Sequence, residues 1–228
     1  MNEPLERLNS VHRRIRNACL AVNRQGSEVS LLAVSKKQSP GKIITLNNLG
    51  VNSFGENKLQ EALQKQLELS ELELQWHFIG TIQSNKTRAI AEHFQWVQSV
   101  DRQKILKRLS SQRPASLEPL NVCLQVNIDR EPQKSGANPE EISQLATLAR
   151  SLKNIRLRGL MAIPRVTVNR SEQHDSFRKV KILFEDLRLA GYQLDTLSMG
   201  MSSDLEVAIS EGSNMVRVGT DLFGKRET

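Results

Sequence analysis

Short apolar segments that are typical of strands alternate with amphipathic helical segments along the whole sequence. The strand-like segments are SLLAVS (30–35), VNSFG (51–55), QWHFIG (75–80), QWVQSV (95–100), LNVCLQVNI (120–128), IRLRGLMAI (155–163), LDTLSM (194–199) and SNMVRVG (213–219). Strands that alternate with helices form a parallel sheet, because each helix is the crossover that returns the chain. Eight such units favour a closed barrel over an open sheet. We therefore predict an α/β fold, a single (β/α)8 TIM barrel.

An additional helical segment precedes the first strand. Its apolar residues recur at helical spacing, at Leu5, Leu8, Val11, Ile15, Cys19 and Val22. This pattern predicts an extra N-terminal helix over residues 1–24 that packs on the barrel. No low-complexity linker interrupts the chain, so residues 1–228 are expected to form one domain.

Composition excludes several classes of protein. The N-terminus has no apolar leader, and no stretch reaches transmembrane length. Cys19 and Cys123 lack metal-ligand spacing and are interpreted as reduced core thiols, so we expect a soluble cytoplasmic protein without a metal site. The net charge is +7, but aromatic residues are only 4% of the chain and are not interleaved with basic runs. Solvated helix faces explain this charge more simply than nucleic-acid binding does.

The segment LLAVSKKQSP (31–40) runs from an apolar strand directly into two lysines. Active sites of such barrels lie where the strands end. Strand alternation places Leu32, Val34 and Lys36 on one face, so Lys36 and Lys37 should not both point inward. A desolvated inward lysine has a lowered pKa and can attack an aldehyde to form a Schiff base. Taken alone, the segment is explained more simply by a lysine at a strand end that keeps its ammonium in solvent.

Two loops near the C-terminus are rich in small and hydroxyl residues. They read SMGMSSD (198–204) and RVGTDLFG (217–224), and they follow the seventh and eighth predicted strands. Barrels often bind phosphate with these loops, although either segment alone could be an ordinary turn. Barrel closure would make both loops neighbours of Lys36. A ligand that carries an aldehyde and a phosphate fits this pairing, namely pyridoxal 5′-phosphate.

Further motifs lie in the same order along the chain: LLAVSK (31–36), FGEN (54–57), WHFIGTIQSNK (76–86), KSG (134–136), GLMAIP (159–164), SMGMSSD (198–204) and VRVGTDLFG (216–224). Together they resemble the pyridoxal-phosphate homeostasis protein family over nearly the whole sequence. The resemblance implies a barrel like the N-terminal domain of alanine racemase, standing alone. It also implies binding of pyridoxal phosphate and a role in intracellular vitamin B6 balance, without an established enzymatic activity.

The resemblance assigns cofactor-binding roles to Lys36, Asn57, His77, Met199, Ser202, Arg217, Gly219 and Thr220. Lys36 would carry the Schiff base, and Arg217 would face the pyridine nitrogen. Ser202, Gly219 and Thr220 would hold the phosphate. Met199 and Asn57 would pack near the ring, and His77 would line the mouth with residues 84–86.

Two positions depart from the family pattern. Thr81 stands where the family has proline, and Asp221 stands where a small residue is usual after the phosphate-binding Gly-Thr pair. A carboxylate that pointed at the phosphate would repel it. We therefore expect Asp221 to point away from the cavity.

Three functions remain compatible with these residues. The first is a carrier or regulator, expected to be monomeric, that buffers pyridoxal phosphate or passes it to apo-enzymes that depend on it. The second is an amino-acid racemase, which needs a second base opposite Lys36. The only tyrosine, Tyr192, follows a helix toward the other end of the barrel, and we expect no second domain after Thr228 to supply another. The third, a Schiff-base aldolase acting on a sugar phosphate, does not call for Arg217. We expect the carrier, not an enzyme.

Overall fold

The computed structural model describes residues 3–224, and over that range eight parallel strands close into a barrel in chain order. The strands are β1 Ser30–Val34, β2 Ser53–Glu56, β3 Gln75–Phe78, β4 Trp96–Val100, β5 Leu120–Val126, β6 Ile155–Ala162, β7 Thr196–Ser198 and β8 Met215–Val218. The barrel closes where β8 pairs with β1, with Ala33 opposite Val218. The predicted fold class is confirmed.

Helices cover the outside of the barrel. They are α1 Glu3–Leu20, α2 Pro40–Asn47, α3 Leu59–Glu68, α4 Thr87–His93, α5 Gln103–Gln112, α6 Pro139–Ser151, α7 Arg170–Leu189, α8 Leu205–Ser210 and α9 Thr220–Phe223. The start of α6 shows how the sequence sets these bounds. Asn138 and Glu141 form a capping box around Pro139, which satisfies backbone N–H groups that the first turn leaves without partners.

Strand residues alternate between the helix-facing side and the barrel interior. Ala33, Phe54, Val97, Leu160 and Val216 belong to the large apolar core between strands and helices. The interior contains a smaller cluster of Trp96, Cys123 and Met161. It also contains polar side chains that are almost fully buried: His77, Gln98, Gln125, Ser198 and Arg217. The polar interior has direct consequences for the functional site.

The first helix contacts the last two helices of the described part of the chain. It packs against α8 and α9 through a buried stripe that includes Leu8, Val11 and Ile15. The helix ends at Leu20, four positions before the predicted limit. The prediction of one domain over residues 1–228 extends to residues 1, 2 and 225–228, which lie outside the described residues, and it stays a prediction. No helix within residues 3–224 is long and apolar enough to cross a membrane.

Both cysteines are fully buried and free. Burial raises the pKa of the Cys19 thiol and raises that of Cys123 to about 12. A thiol with a raised pKa carries little thiolate at neutral pH, and the thiolate is the reactive form. Both cysteines are therefore packing residues.

The ends of β2 and β3 approach each other so closely that only glycine fits between them. A Cβ on Gly80 would lie 2.1 Å from the carbonyl oxygen of Asn57. Both residues line a large cavity at the end of the barrel where the strands reach their carboxyl termini, called the main cavity below. The spacing of the two strand ends therefore depends on the absence of a side chain at position 80.

We expect Gly80→Ala to lower the free energy of unfolding by about 1–3 kcal/mol, because the backbone must move to admit the methyl group. Urea unfolding measures the change. Gly41→Ala is the matched control, since the nearest atom to a Cβ at that position is the Ser39 hydroxyl oxygen at 4.0 Å. Equal stability of the two variants would contradict the close approach of β2 and β3.

Candidate functional site

A cavity of ≈ 990 Å³ opens at the end of the barrel where the strands reach their carboxyl termini. Active sites of barrels of this kind lie at this end. The structure brings most of the predicted site residues into its wall, namely Lys36, Asn57, Ser202, Arg217, Gly219 and Thr220. His77 and Met199 lie elsewhere.

Lys36 lies two residues beyond β1 and lines the cavity, half-buried. Val34 lines the same cavity, whereas Ala33 belongs to the core under the helices. Lys37 is exposed and adopts a left-handed backbone conformation with φ of 60°. The chain therefore turns after Lys36, and only the first of the two lysines faces the interior.

A buried ion pair holds the segment that carries Lys36. The Lys65 ammonium on α3 donates to the Glu56 carboxylate at 2.8 Å and to the carbonyl oxygen of Ser35 at 2.8 Å. The Ser35 hydroxyl donates to the same carboxylate oxygen at 2.6 Å. Burial raises the pKa of Glu56, and its bonds to Lys65 and Ser35 oppose that rise. The residue before Lys36 is thereby hydrogen-bonded to Lys65 on α3 and to Glu56 on β2.

Arg217 is a buried cation on β8, the strand that pairs with β1. Its Nη1 donates to the carbonyl oxygen of Ser198 at 2.7 Å and to the hydroxyl of Ser198 at 2.8 Å, and its Nη2 donates to the carbonyl oxygen of Ala162 at 2.8 Å. Burial lowers the pKa of Arg217 to about 10, so the guanidinium keeps its charge at neutral pH. The protein thus presents a fixed, charged donor to the cavity.

A chain of hydrogen bonds runs from Arg217 through the barrel interior. The Ser198 hydroxyl donates to Gln98 Oε1 at 2.7 Å, and Gln98 Nε2 donates to His77 Nδ1 at 2.9 Å. An amide nitrogen only donates, so His77 Nδ1 accepts and its proton is on Nε2. That Nε2 donates to Gln75 Oε1 at 3.1 Å. Every polar group in this chain has its partner inside the protein.

His77 lies at the other end of the barrel from the predicted mouth. Its ring stacks on Trp96 with 5.1 Å between the centroids, and it lines a second cavity of ≈ 320 Å³ at the amino ends of the strands. Burial lowers the pKa of His77 to about 3. His77 does not line the main cavity because it lies nearer the amino end of β3. Ile79, two residues later in the chain, lines the cavity instead.

Met199 is fully buried in the core between the barrel and the helices. Strand alternation explains this position, because Ser198 points inward to Arg217 and its neighbour must point outward. Met201, two residues later, lines the cavity instead. The Met199 side chain therefore lies on the outer side of the strand, away from the cavity.

The loops after β7 and β8 form one end of the cavity. Ser202 and Thr220 contribute hydroxyl groups, and Gly219 contributes bare backbone. A Cβ on Gly219 would lie only 3.2 Å from the carbonyl oxygen of Val34, so β8 ends tightly against β1. Small residues at this point allow a ligand to approach the backbone closely.

Both departures from the family pattern have partners in the structure. The Thr81 hydroxyl hydrogen-bonds to the Ser135 hydroxyl at 3.1 Å, which links the loops after β3 and β5. The Asp221 carboxylate pairs with Arg14 at 2.5 Å. Asp221 is nevertheless one of the residues that line the cavity.

Basic side chains outnumber acidic ones in the cavity wall. Lys36, Lys58, Lys134 and Arg217 line it together with a single carboxylate, Asp221, among the described residues. A cleft lined by one sign of charge attracts a ligand of the opposite sign. Within residues 3–224 no group of three or more His, Cys, Asp or Glu could hold a metal ion. The site is suited to an anionic organic ligand.

Sequence analysis missed several residues of the site. Gln98 and Ser198 hold Arg217 in place, and Lys134 reaches the cavity from the loop after β5. The signal for Gln98 and Ser198 was a polar residue at an inward position of an otherwise apolar strand. Lys134 is part of the KSG motif, but it lies in a loop, where no strand or helix period predicts the direction of a side chain. A hydrogen bond from its ammonium to the carbonyl oxygen of Pro164, at 2.8 Å, fixes that direction in the structure.

The sequence matches the family model described as alanine racemase, N-terminal domain, over residues 8–227. An alanine racemase from Clostridium difficile 630 has the same fold, with a TM-score of 0.76 and 16% identity. The match covers 100% of this chain and 58% of the racemase. Fold and cavity thus define a barrel of the alanine-racemase N-terminal-domain class.

Closer relatives narrow this class. A protein from Pseudomonas aeruginosa that is named pyridoxal phosphate homeostasis protein is 56% identical, and the match covers 100% of this chain and 97% of the relative. The protein of the same name from Escherichia coli K12 is 44% identical, and that match covers 100% of this chain and 98% of the relative. The structure of PipY from Synechococcus elongatus PCC7942 without PLP has a TM-score of 0.85 and 36% identity, covering 96% of this chain and 99% of PipY. A second PipY structure has PLP bound. The chain belongs to the pyridoxal phosphate homeostasis protein family.

The buried histidine predicts a pH dependence of stability. An unfolded histidine takes up a proton near pH 6.5, whereas His77 in the folded protein does so only near 3. Its contribution to stability is therefore complete above about pH 6.5 and is lost progressively as the pH falls toward 3. Between pH 7 and pH 5 the loss from this residue should be about 2 kcal/mol.

Urea unfolding at pH 7 and pH 5 tests this. The variant His77→Gln should lack this part of the pH dependence, and the exposed His93→Gln should keep it. An unchanged pH dependence in His77→Gln would show that His77 is not held neutral.

Proposed function

We propose that this protein binds pyridoxal 5′-phosphate in the cavity at the carboxyl ends of the strands and holds it as a Schiff base on Lys36. The observation that carries the proposal is the meeting of Lys36, a buried charged Arg217 and the bare backbone of Gly219 in one basic cavity. The family supports it, since relatives carry pyridoxal phosphate homeostasis in their names and a PipY structure has PLP bound.

The residues present fit this group. β1 and β8 pair with Leu32 opposite Arg217, so the strand ends that carry Lys36 and Gly219 are neighbours. When bound, pyridoxal phosphate supplies an aldehyde that condenses with a primary amine and releases one water. Lys36 Nζ is the amine in this proposal. Ser202 and Thr220 offer hydroxyl donors to the phosphate, and charge-assisted bonds of this kind are strong.

Arg217 would face the pyridine nitrogen and hold it unprotonated. A guanidinium whose pKa is about 10 stays charged at neutral pH, so it donates a hydrogen bond and repels a proton on its acceptor. Ser198 and the carbonyl oxygen of Ala162 fix its direction. A pyridine ring that stays unprotonated is a weak electron sink, which disfavours most chemistry of this cofactor.

A carrier or buffer of the cofactor follows from these features. Lys36 is only half-buried, so water and free amines can reach the covalent link. A site that is open in this way can take up the cofactor and give it back, either to free solution or to an apo-enzyme. This proposal includes the predictions that the protein transfers the cofactor to apo-enzymes and that the protein is monomeric and cytoplasmic.

Amino-acid racemisation is the second candidate, and the fold shared with alanine racemase is the observation that favours it. Racemisation needs a second base on the face of the ring opposite Lys36. Tyr192 lies between α7 and β7, before a strand begins, and its hydroxyl pairs with that of Thr147 at 2.8 Å. It is thus at the far end of the barrel from the cavity, which favours the carrier.

The two adjacent lysines provide a direct test of the covalent link. We expect Lys36→Ala to lose the Schiff-base absorption band in the presence of pyridoxal phosphate, because its neighbour is exposed and faces away from the cavity. Lys37→Ala is the matched control and should retain the band. Borohydride reduction followed by peptide mass mapping should place the added mass on Lys36 in the unmodified protein.

Retention of the band in Lys36→Ala with normal circular dichroism would reject the assignment of Lys36. Loss of the band in both variants would indicate that either substitution disturbs the loop, and it would not identify the residue that carries the covalent link. Only loss confined to Lys36→Ala supports the proposal.

A second test separates the carrier from the racemase. The cofactor-loaded protein should turn over L- and D-amino acids far more slowly than about one per second, the lower range for enzymes. Chiral chromatography and assay of keto acids measure this. The same protein should restore activity to an apo-enzyme that depends on pyridoxal phosphate. Turnover at ordinary enzymatic rates would reject the carrier in favour of the racemase.

A further inference from the structure

Arg14 on the first helix reaches the end of the cavity formed by the loops after β7 and β8. Its Nη2 donates to the carbonyl oxygen of Ser202 at 2.8 Å, and its Nη1 pairs with the Asp221 carboxylate at 2.5 Å. Its Nε and Nη2 also donate to the two carboxylate oxygens of Glu206 at 2.6 Å and 2.9 Å. One guanidinium therefore binds both loops and α8.

Two of these partners belong to the cavity wall. Ser202 and Asp221 line the cavity, whereas Arg14 lies outside its lining, on α1. The residues are 188 and 207 positions away from Arg14 along the chain. The end of the cavity that carries Ser202 and Thr220 is thus held together from behind by a helix that precedes the barrel.

Charge gives this contact a second consequence. Asp221 is adjacent to Thr220 and is the carboxylate in the described part of the wall. Its charge would repel a bound anion. The Arg14 guanidinium lies against that carboxylate, with the two side chains 30% and 33% exposed, so their interaction is only partly screened by water. The hydrogen bonds to Glu206 raise the pKa of Arg14, which keeps it charged.

We propose that Arg14 is a positioning residue for phosphate recognition, which makes this end of the cavity selective for a phosphate monoester over the same molecule without phosphate. It holds the Ser202 loop against the start of α9 and neutralises Asp221. The inference rests on the proposed function, since it concerns the phosphate of the proposed ligand.

A purely structural role makes a different prediction. If Arg14 only fastens α1 to the barrel, its removal disturbs the whole cavity, and ligands with and without phosphate lose affinity equally. Removal of Asp221 would then not compensate. If Arg14 acts on the phosphate end, the loss is confined to the phosphorylated ligand and depends on Asp221.

The experiment measures dissociation constants of pyridoxal phosphate and of pyridoxal for four forms: the unmodified protein, Arg14→Gln, Asp221→Asn and the double variant. Arg14→Gln should weaken binding of pyridoxal phosphate roughly fivefold, the upper range for a partly exposed ion pair, with little change for pyridoxal. Asp221→Asn should bind pyridoxal phosphate at least as tightly as the unmodified protein. The double variant should recover most of the loss.

Two further variants keep the outcome clear. Arg13→Gln, an exposed arginine on the same helix, should change neither ligand's affinity. Arg14→Lys retains the charge and should preserve most of the selectivity for the phosphorylated ligand. This variant still tests the proposal if Arg14→Gln fails to fold. Thermal unfolding of each variant reports on folding.

The outcomes are distinguishable. An equal loss for both ligands, or no recovery in the double variant, overturns the role of Arg14 and leaves the proposed function intact. Failure of pyridoxal phosphate to bind the unmodified protein overturns the proposed function, and this inference with it. A selective loss that Asp221→Asn reverses supports both.

Discussion

The pairing of β8 with β1 is the interaction on which the rest of the structure depends. It joins the two ends of the strand order and places Leu32 opposite Arg217 and Ala33 opposite Val218. Closure removes the free edges that an open sheet would leave. It also brings the residues that follow the first and last strands to one point. Lys36 and Gly219 belong to one cavity only because these two strands are neighbours.

The barrel interior is held by hydrogen bonds as well as by apolar contact. Arg217, Ser198, Gln98, His77 and Gln75 form a continuous chain of donors and acceptors from the main cavity to the amino-terminal end. Buried polar groups are costly when unpaired, and networks in which every member is satisfied are rigid. This arrangement keeps a charged guanidinium in a fixed direction at the base of the cavity. It also explains why a polar interior is compatible with a closed barrel.

The predictable part of the site followed from strand alternation and from chain order. Alternation grouped Lys36 with Leu32 and Val34 on one face, and the position of the small-residue loops after the last two strands placed Gly219 and Thr220 at the same end. His77 lies outside the wall of this cavity for a reason that alternation does not describe. It does face inward, but its level along β3 puts it one layer below the cavity, beside Trp96. Alternation specifies the side of a strand and not the depth, which depends on barrel tilt and register.

The sequence by itself determined the order of strands and helices, the closed barrel and the two alternating faces of β1, because these features repeat with the periods of strands and helices. Only the tertiary structure decided which distant side chains meet. Arg14 and Asp221 are 207 positions apart, and the loop of Ser202 lies between them in sequence. No local period records such a contact, since it arises from the packing of α1 against α8 and α9. The direction of the Asp221 carboxylate is set by that packing, through the arginine that it brings within hydrogen-bonding distance.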